Sequence, residues 1–342
     1  MRVVFRADGS KDLGLGHIVR CLTLADELRT RDPSCDILFV TKYDEGRKVI
    51  ERRAHRVAGT EEDEVRQIRE LATPGTLVIT DFLDTDSAFT SRVRGTGVRV
   101  MAMDNNTRLK RIDADVVVNA NVFDEGQTGV VGSTRYYLGP EYMVLRREFG
   151  ALHKQSKEVA DEVRTILVLS GGGDLAGGQL ALSSVRALEG IDEKCRIHLI
   201  AGPTFPYTVA LNELLSSAKR HFDVSVSPAN LPELMRGADL AVTAAGITLY
   251  ELAALGVPCL VVPLVTPQTR HQEDIARAFE RHGACLNLGG SPGNDLLCEK
   301  AAKLMADKSL RRQLSEGGKA LVDGGGLERA LGLVLEVSKL AA

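Results

Sequence analysis

A histidine set among glycines is the residue in this 342-residue chain best suited to chemistry. In RADGSKDLGLGHIVRC, running from Arg6 to Cys21, Gly14 and Gly16 permit close backbone approach to a ligand, and His17 follows where a strand hands over to a helix. A histidine in the first helical turn faces the positive end of the helix dipole, which disfavours imidazolium and suits a general base. Asp8, across the same loop, is placed to orient the ring, although an aspartate at a strand end is also an ordinary turn residue. The plain alternative for His17 is an exposed histidine at a helix start; Gly16 and Arg20 beside it favour function. Position 19 is Val, so the third glycine of a dinucleotide fingerprint is missing and an NAD site is disfavoured.

Two glycine-containing turns in the second half have the form of phosphate cradles. Ser170-Gly171-Gly172-Gly173-Asp174 follows an apolar run and precedes a helical stretch, the arrangement in which backbone N–H groups receive an anion. It lacks the Lys and Ser/Thr of a Walker loop, and three glycines exceed what a simple turn needs. Ala244-Ala245-Gly246-Ile247-Thr248 repeats the pattern, with Glu251 about one turn into the next helix. Amides near Gly246–Thr248 would hold a diphosphate, and Glu251 would accept hydrogen bonds from ribose hydroxyls. The bland reading of Glu251 is a first-turn carboxylate favoured by the helix dipole. His271 and Gln272 open the following helix, either meeting a sugar or capping in solvent. Asp84-Thr85-Asp86 spells a metal-type DxD but reads better as a helix N-cap, so no metal is expected.

These residues need strands that end together. Short β-branched runs alternate with amphipathic stretches throughout, which predicts parallel strands joined by helical crossovers. Strands are expected at Arg2–Arg6, Asp36–Thr41, Leu77–Thr80, Arg99–Met103 and Val116–Asn119, then from Thr165 and at Arg196–Ile200, Val224–Val226, Leu240–Thr243, Cys259–Val262 and Cys285–Leu288. At roughly 150 residues per domain the length suits two lobes and a ligand cleft between them. Residues 1–150 form the first lobe, 151–163 a polar linker and 164–342 the second; the last helix, Leu327–Leu340, could cap either lobe.

Composition narrows the function. With 43 Lys+Arg against 46 Asp+Glu, a formal charge of −3 and no Trp, long nucleic acid is an unsuitable partner. No apolar run of about 18 residues is present, and Arg2, Arg6 and Asp8 interrupt the opening segment, so neither membrane insertion nor a secretory leader is expected and a cytoplasmic location follows. The six cysteines are widely spaced and read as reduced. Cys21, one turn after His17, reads as a packing residue.

The sequence resembles the PseG/SpsG-like hydrolases of pseudaminic acid biosynthesis, which release UDP from a UDP-linked diacetamido-trideoxy-altrose, and more distantly the MurG-type glycosyltransferases. The likeness covers most of the chain. It rests on Arg6–Leu28, Val78–Asp81, Met101–Asn105, Asp113–Val122, Tyr137–Phe149, Ser170–Asp174 and Ala244–Val262. The resemblance implies a GT-B architecture, two doubly wound α/β lobes with the nucleotide on the C-terminal one. It makes His17 the base that activates water, gives Gly171–Gly173 and Gly246–Thr248 the pyrophosphate and Glu251 the ribose, and adds Arg20, Asp81 and Asp104 to the binding residues. The chain departs from the family at Phe82-Leu83, where a Tyr is usual, at Asn105, where a second acid is usual, and at His271-Gln272, where Asn-Gln is usual.

The expectation is metal-independent and cofactor-independent hydrolysis of a UDP-amino or deoxy sugar for surface-glycan or nonulosonic acid synthesis. The alternative is a GT-B glycosyltransferase in which His17 deprotonates an acceptor hydroxyl; a non-catalytic nucleotide-sugar binding protein is a third reading.

Overall fold

The computed structural model describes residues 1–342 except 84, 104–111, 123–127, 170, 173–177, 193, 206–208, 268 and 340–342. The first half builds β1 (Arg2–Ala7), α1 (Gly16–Arg31), β2 (Asp36–Thr41), α2 (Asp44–Arg52), β3 (Arg56–Gly59), α3 (Glu64–Leu71), β4 (Thr76–Asp81), α4 (Ser87–Arg94), β5 (Arg99–Met103), β6 (Val116–Asn119), β7 (Gly129–Val131), β8 (Thr134–Leu138) and α5 (Arg147–His153). The second half builds β9 (Thr165–Leu169), α6 (Gln179–Leu188), β10 (Arg196–Ala201), α7 (Val209–Ser217), β11 (Asp223–Val226), α8 (Leu231–Gly237), β12 (Leu240–Thr243), α9 (Ile247–Ala254), β13 (Cys259–Val261), α10 (His271–Arg281), β14 (Leu286–Asn287), α11 (Asn294–Ala306), α12 (Lys308–Leu321) and α13 (Gly326–Lys339).

Among the described residues the first sheet has the order β3-β2-β1-β4-β5-β6-β8-β7 and the second β11-β10-β9-β12-β13-β14. All pairs are parallel except β7 with β8. Strand order reverses between β1 and β4 in one sheet and between β9 and β12 in the other. Such switch points leave a crevice at the carboxyl ends of the strands, where doubly wound sheets bind ligands.

Alternation along the strands divides the core of the first sheet. Val3, Phe5 and Ala7 of β1 join Leu77 and Ile79 of β4 beneath Ile18, Cys21 and Leu22 of α1. Val4 and Val78 face the opposite way, toward Ile68 and Val93 of α3 and α4. That period of two decides below which carboxylate can reach α1.

The chain divides into one unit of Met1–Arg147 with Gly325–Ala342 and another of Glu148–Gly324. The last helix, which the sequence leaves open to either lobe, falls in the first of these units. The apolar stripe Leu327, Leu331, Val334 and Val337 of α13 joins the core of the first unit beside Val3 and Phe5. Its i, i+4, i+7 spacing forms one face too apolar for water, and burial there stabilises it by about 1.5–3 kcal/mol per large side chain.

The expected linker is held firmly by the second unit. Its first residues, 151–153, complete α5. Fully buried Arg311 of α12 donates to the carbonyls of Leu304 and Met305 at the end of α11 and to those of Ala160 and Asp161. Lys157 Nζ reaches the carbonyls of Arg236 and Ala238, 2.5 and 2.6 Å away. The strands β3, β7 and β8 carry no strong alternation and escape the sequence reading. They lie at or next to the sheet's edges, where exposure on both faces blurs the hydrophobic pattern.

Candidate active site

His17 is the second residue of α1, and its side chain is 10% exposed. The turn before it is tightly built. Ser10 pairs with Gly14 across an isolated bridge, its Oγ accepts the N–H groups of Asp12 and Leu13, and Gly14 sits at φ +77°, a left-handed conformation that favours glycine. The Gly9 carbonyl accepts the N–H of Gly46 at 3.0 Å, tying the loop to α2. No side chain caps the start of α1, which begins after Leu15.

The imidazole is oriented by Asp81, at the carboxyl end of β4. His17 Nδ1 lies 2.7 Å from Asp81 Oδ1, and Arg20 grips the same carboxylate through Nε at 2.8 Å and Nη2 at 2.6 Å. His17, Arg20 and Cys21 stand at i, i+3 and i+4, so one face of α1 presents all three to Asp81. Asp81 is wholly buried. Burial opposes its charge, but Arg20 first and His17 second outweigh it and hold the carboxyl below the usual carboxylate range. An ionised carboxylate only accepts hydrogen bonds, so in the neutral ring the proton sits on Nδ1 and the lone pair on Nε2. This is the tautomer a general base needs. Burial, then the Asp81 charge, pushes the Cys21 thiol well above its ordinary value, and its S–H points to Asp81 at 3.5 Å. Cys21 is therefore a packed donor, not a nucleophile.

This geometry revises two expectations. Asp8 does not serve the ring's Nδ1: its Oδ1 lies 2.7 Å from Arg6 Nη1 and accepts the Lys42 N–H at 2.9 Å. By strand alternation Asp8 shares a face with Arg6 and Val4, away from α1. Asp81 and Arg20, expected to touch ligand, are sealed beneath His17 instead, at 0% and 2% exposure.

In the second unit, Gly171 and Gly172 lie just past the end of β9, and Gly246–Thr248 follow β12, so both turns meet at that sheet's switch point. Gly171 has φ +75°, and a Cβ placed there would stand 3.4 Å from Thr248 Oγ1. Gly246 precedes α9 with no side-chain cap, Ala245 is buried, and Ile247 and Thr248 are half-buried. Glu251 is 7% exposed on α9. Gln272 is buried, its Oε1 accepting the Leu264 N–H at 2.9 Å, so it braces its own loop; His271 beside it is half-buried. Asp104 and Gly173 lie outside the described residues, as do Ser170, Asp174, Asn105 and Asp84. Asp86 Oδ1 accepts the Phe89 N–H at 2.7 Å as the N-cap of α4.

Residues 165–317 match the glycosyltransferase family 28 C-terminal domain. The chain is 28% identical over 98% of its length, and 98% of the other's, to the spore coat polysaccharide biosynthesis protein SpsG of Bacillus subtilis. It is 31% identical over 77% of its length to the uncharacterized protein MJ1062 of Methanocaldococcus jannaschii, spanning 55% of that longer relative. The crystal structure of Acinetobacter baumannii MurG superimposes with a TM-score of 0.67, covering 98% of this chain and 99% of that one at 15% identity. The fold is GT-B.

Within this GT-B fold, two residues next to the glycine-rich turn had escaped the sequence reading. Gly172 O accepts both the N–H of Thr204 at 3.2 Å and its Oγ1 hydroxyl at 2.9 Å. The backbone of Gly202 is pressed against the carbonyls of Gly171 and Gly172, leaving no room for a Cβ. The available signal was Gly202-Pro203-Thr204 directly after a strand that neighbours β9. Among the described residues no helix is long and apolar enough to cross a membrane.

Proposed function

We propose that this protein hydrolyses a nucleoside-diphosphate sugar, releasing UDP and a free amino or deoxy sugar for a surface glycan. The observation that carries this reading is the His17 Nδ1 to Asp81 contact of 2.7 Å, which leaves Nε2 as the proton acceptor. In the reaction His17 takes a proton from water as water attacks the sugar–diphosphate linkage, and the imidazolium so formed is stabilised by the Asp81 carboxylate. Asp81 replaces Asp8 as the orienting acid. Gly171, Gly172 and the N-terminal amides of α9 receive the diphosphate, offsetting the charge that grows on the leaving group, and Glu251 takes the ribose. Base catalysis contributes about 10²–10⁴-fold, and positioned donors a comparable factor. No metal or cofactor is invoked. The SpsG relative's part in polysaccharide biosynthesis agrees with a sugar-nucleotide substrate.

The second reading is a GT-B glycosyltransferase in which His17 deprotonates an acceptor hydroxyl; the family 28 match over residues 165–317 is compatible with either reading. One experiment separates the two. Purified protein is incubated with a panel of nucleotide sugars and no acceptor, and products are followed by phosphorus NMR in oxygen-labelled water. Hydrolysis predicts stoichiometric UDP, with the label locating the broken bond. Negligible nucleotide release without acceptor, and release once one is supplied, establishes the transferase.

A further inference from the structure

The loop that follows β10 is built around a single carbonyl. Gly172 O receives two donors from Thr204, the backbone N–H at 3.2 Å and the hydroxyl at 2.9 Å. The Thr204 loop is itself closed, since the Phe205 N–H donates to Gly202 O at 3.1 Å. Phe205 then packs against the core of the second unit. Gly202 must be glycine for this approach, because any side chain would enter the Gly171 and Gly172 carbonyls. The turn is thus clamped through its carbonyl from one side, while Thr248 of α9 stands beside Gly171 on another. A glycine-rich turn left to itself would lose more conformational entropy on gripping a ligand than any other backbone. A clamp that orders it beforehand moves that cost out of the binding step.

We propose that Thr204 is a positioning residue for nucleoside-diphosphate binding: it orders the Gly171–Gly172 turn before the diphosphate arrives. The proposal rests on the nucleotide-site reading above. Thr204 acts through Gly172 rather than by touching the ligand, so its effect belongs to the diphosphate and not to the nucleoside.

The test compares T204V, which keeps the β-branch and the backbone N–H but removes the hydroxyl donor, with T204S, which keeps the donor. UDP affinity is measured by titration calorimetry and uridine affinity by NMR titration. One lost hydrogen bond corresponds to about a fivefold to tenfold rise in the UDP dissociation constant of T204V. Uridine affinity is expected to stay unchanged and T204S to bind as the wild type does. A T204V protein that binds UDP as tightly as wild type overturns the role of Thr204 and leaves the nucleotide site standing. Equal weakening for UDP and uridine also overturns it, since that is the mark of a general structural defect. A wild-type protein that binds no nucleoside diphosphate overturns both readings. If T204V does not fold, the ¹⁵N order parameter of Gly172 in the free wild-type protein decides: about 0.85 supports a clamped turn, and below about 0.6 refutes it.

Discussion

Asp81 Oδ1 and His17 Nδ1 are 2.7 Å apart across 64 residues of sequence. The contact exists because β4 runs beside β1 in parallel register, with Asp81 opposite Ala7, and because α1 returns over the face on which Leu77, Ile79 and Asp81 alternate. A buried acid gripped by a guanidinium and an imidazole is a rigid mount, and several consequences can be measured.

Asp81→Asn places an amide where a carboxylate sat. An amide NH₂ facing Nδ1 selects the wrong tautomer, so kcat is expected to fall by about 10²–10⁴-fold with KM little changed. Removing the acid also breaks the buried ion pair between Arg20 and Asp81, at a cost of about 3–5 kcal/mol. Steady-state kinetics with urea unfolding checks both parts. A variant with full kcat refutes the orienting role.

Acid should destabilise the first unit through the same carboxyl and through Asp26. Burial opposes ionisation of Asp26, but His55 and Arg53 outweigh it and hold the carboxyl below its ordinary value. A folded-state pKa below the unfolded one gives stability that is complete above the unfolded value, near pH 4, and is lost as pH falls through the folded value. Thermal melts between pH 7 and 2 are expected to show this loss below about pH 4. Asp26→Asn should flatten part of it, and an identical acid profile for that variant would assign the loss elsewhere.

Arg311→Met fills much of the same volume but removes the guanidinium donors to Leu304, Met305, Ala160 and Asp161. Each lost hydrogen bond is worth about 0.5–1.5 kcal/mol, and the buried Leu304 carbonyl carries the largest penalty. For a unit of this size a net loss of about 3 kcal/mol lowers Tm by roughly 10 °C. Calorimetry reads the shift, and limited proteolysis should open the chain near Ala160.

Gly46→Ala is a test of sign. In an exposed helix interior this change gains up to about 1 kcal/mol. Here the added Cβ would stand 2.9 Å from Gly9 O, backbone of the loop that carries His17. The expected outcome is lower kcat and no gain in Tm, and a stabler enzyme of normal rate would show that the loop is free to yield.

Much of this was legible because it is local. Apolar alternation, turn glycines and a histidine at a helix start depend on a few neighbouring residues, and they marked most of the strands, both glycine-rich turns and His17. The i, i+3, i+4 spacing of His17, Arg20 and Cys21 was also there to be read. Gln272 could not be assigned in this way, because whether its amide meets a ligand or the Leu264 N–H depends on how a loop folds back.

By itself the sequence determined a chain of alternating strands and helices with a basic ring at the head of α1 and two open turns farther on. Only the tertiary structure decided which acid holds that ring and which unit receives α13. Asp8 and Asp81 both stand at the carboxyl ends of neighbouring strands, and nothing in their flanking residues ranks one above the other as a partner for His17. The choice falls to side-chain parity and register between strands far apart in the chain, which place Asp8 with Arg6 on one face of the sheet and Asp81 under α1 on the other.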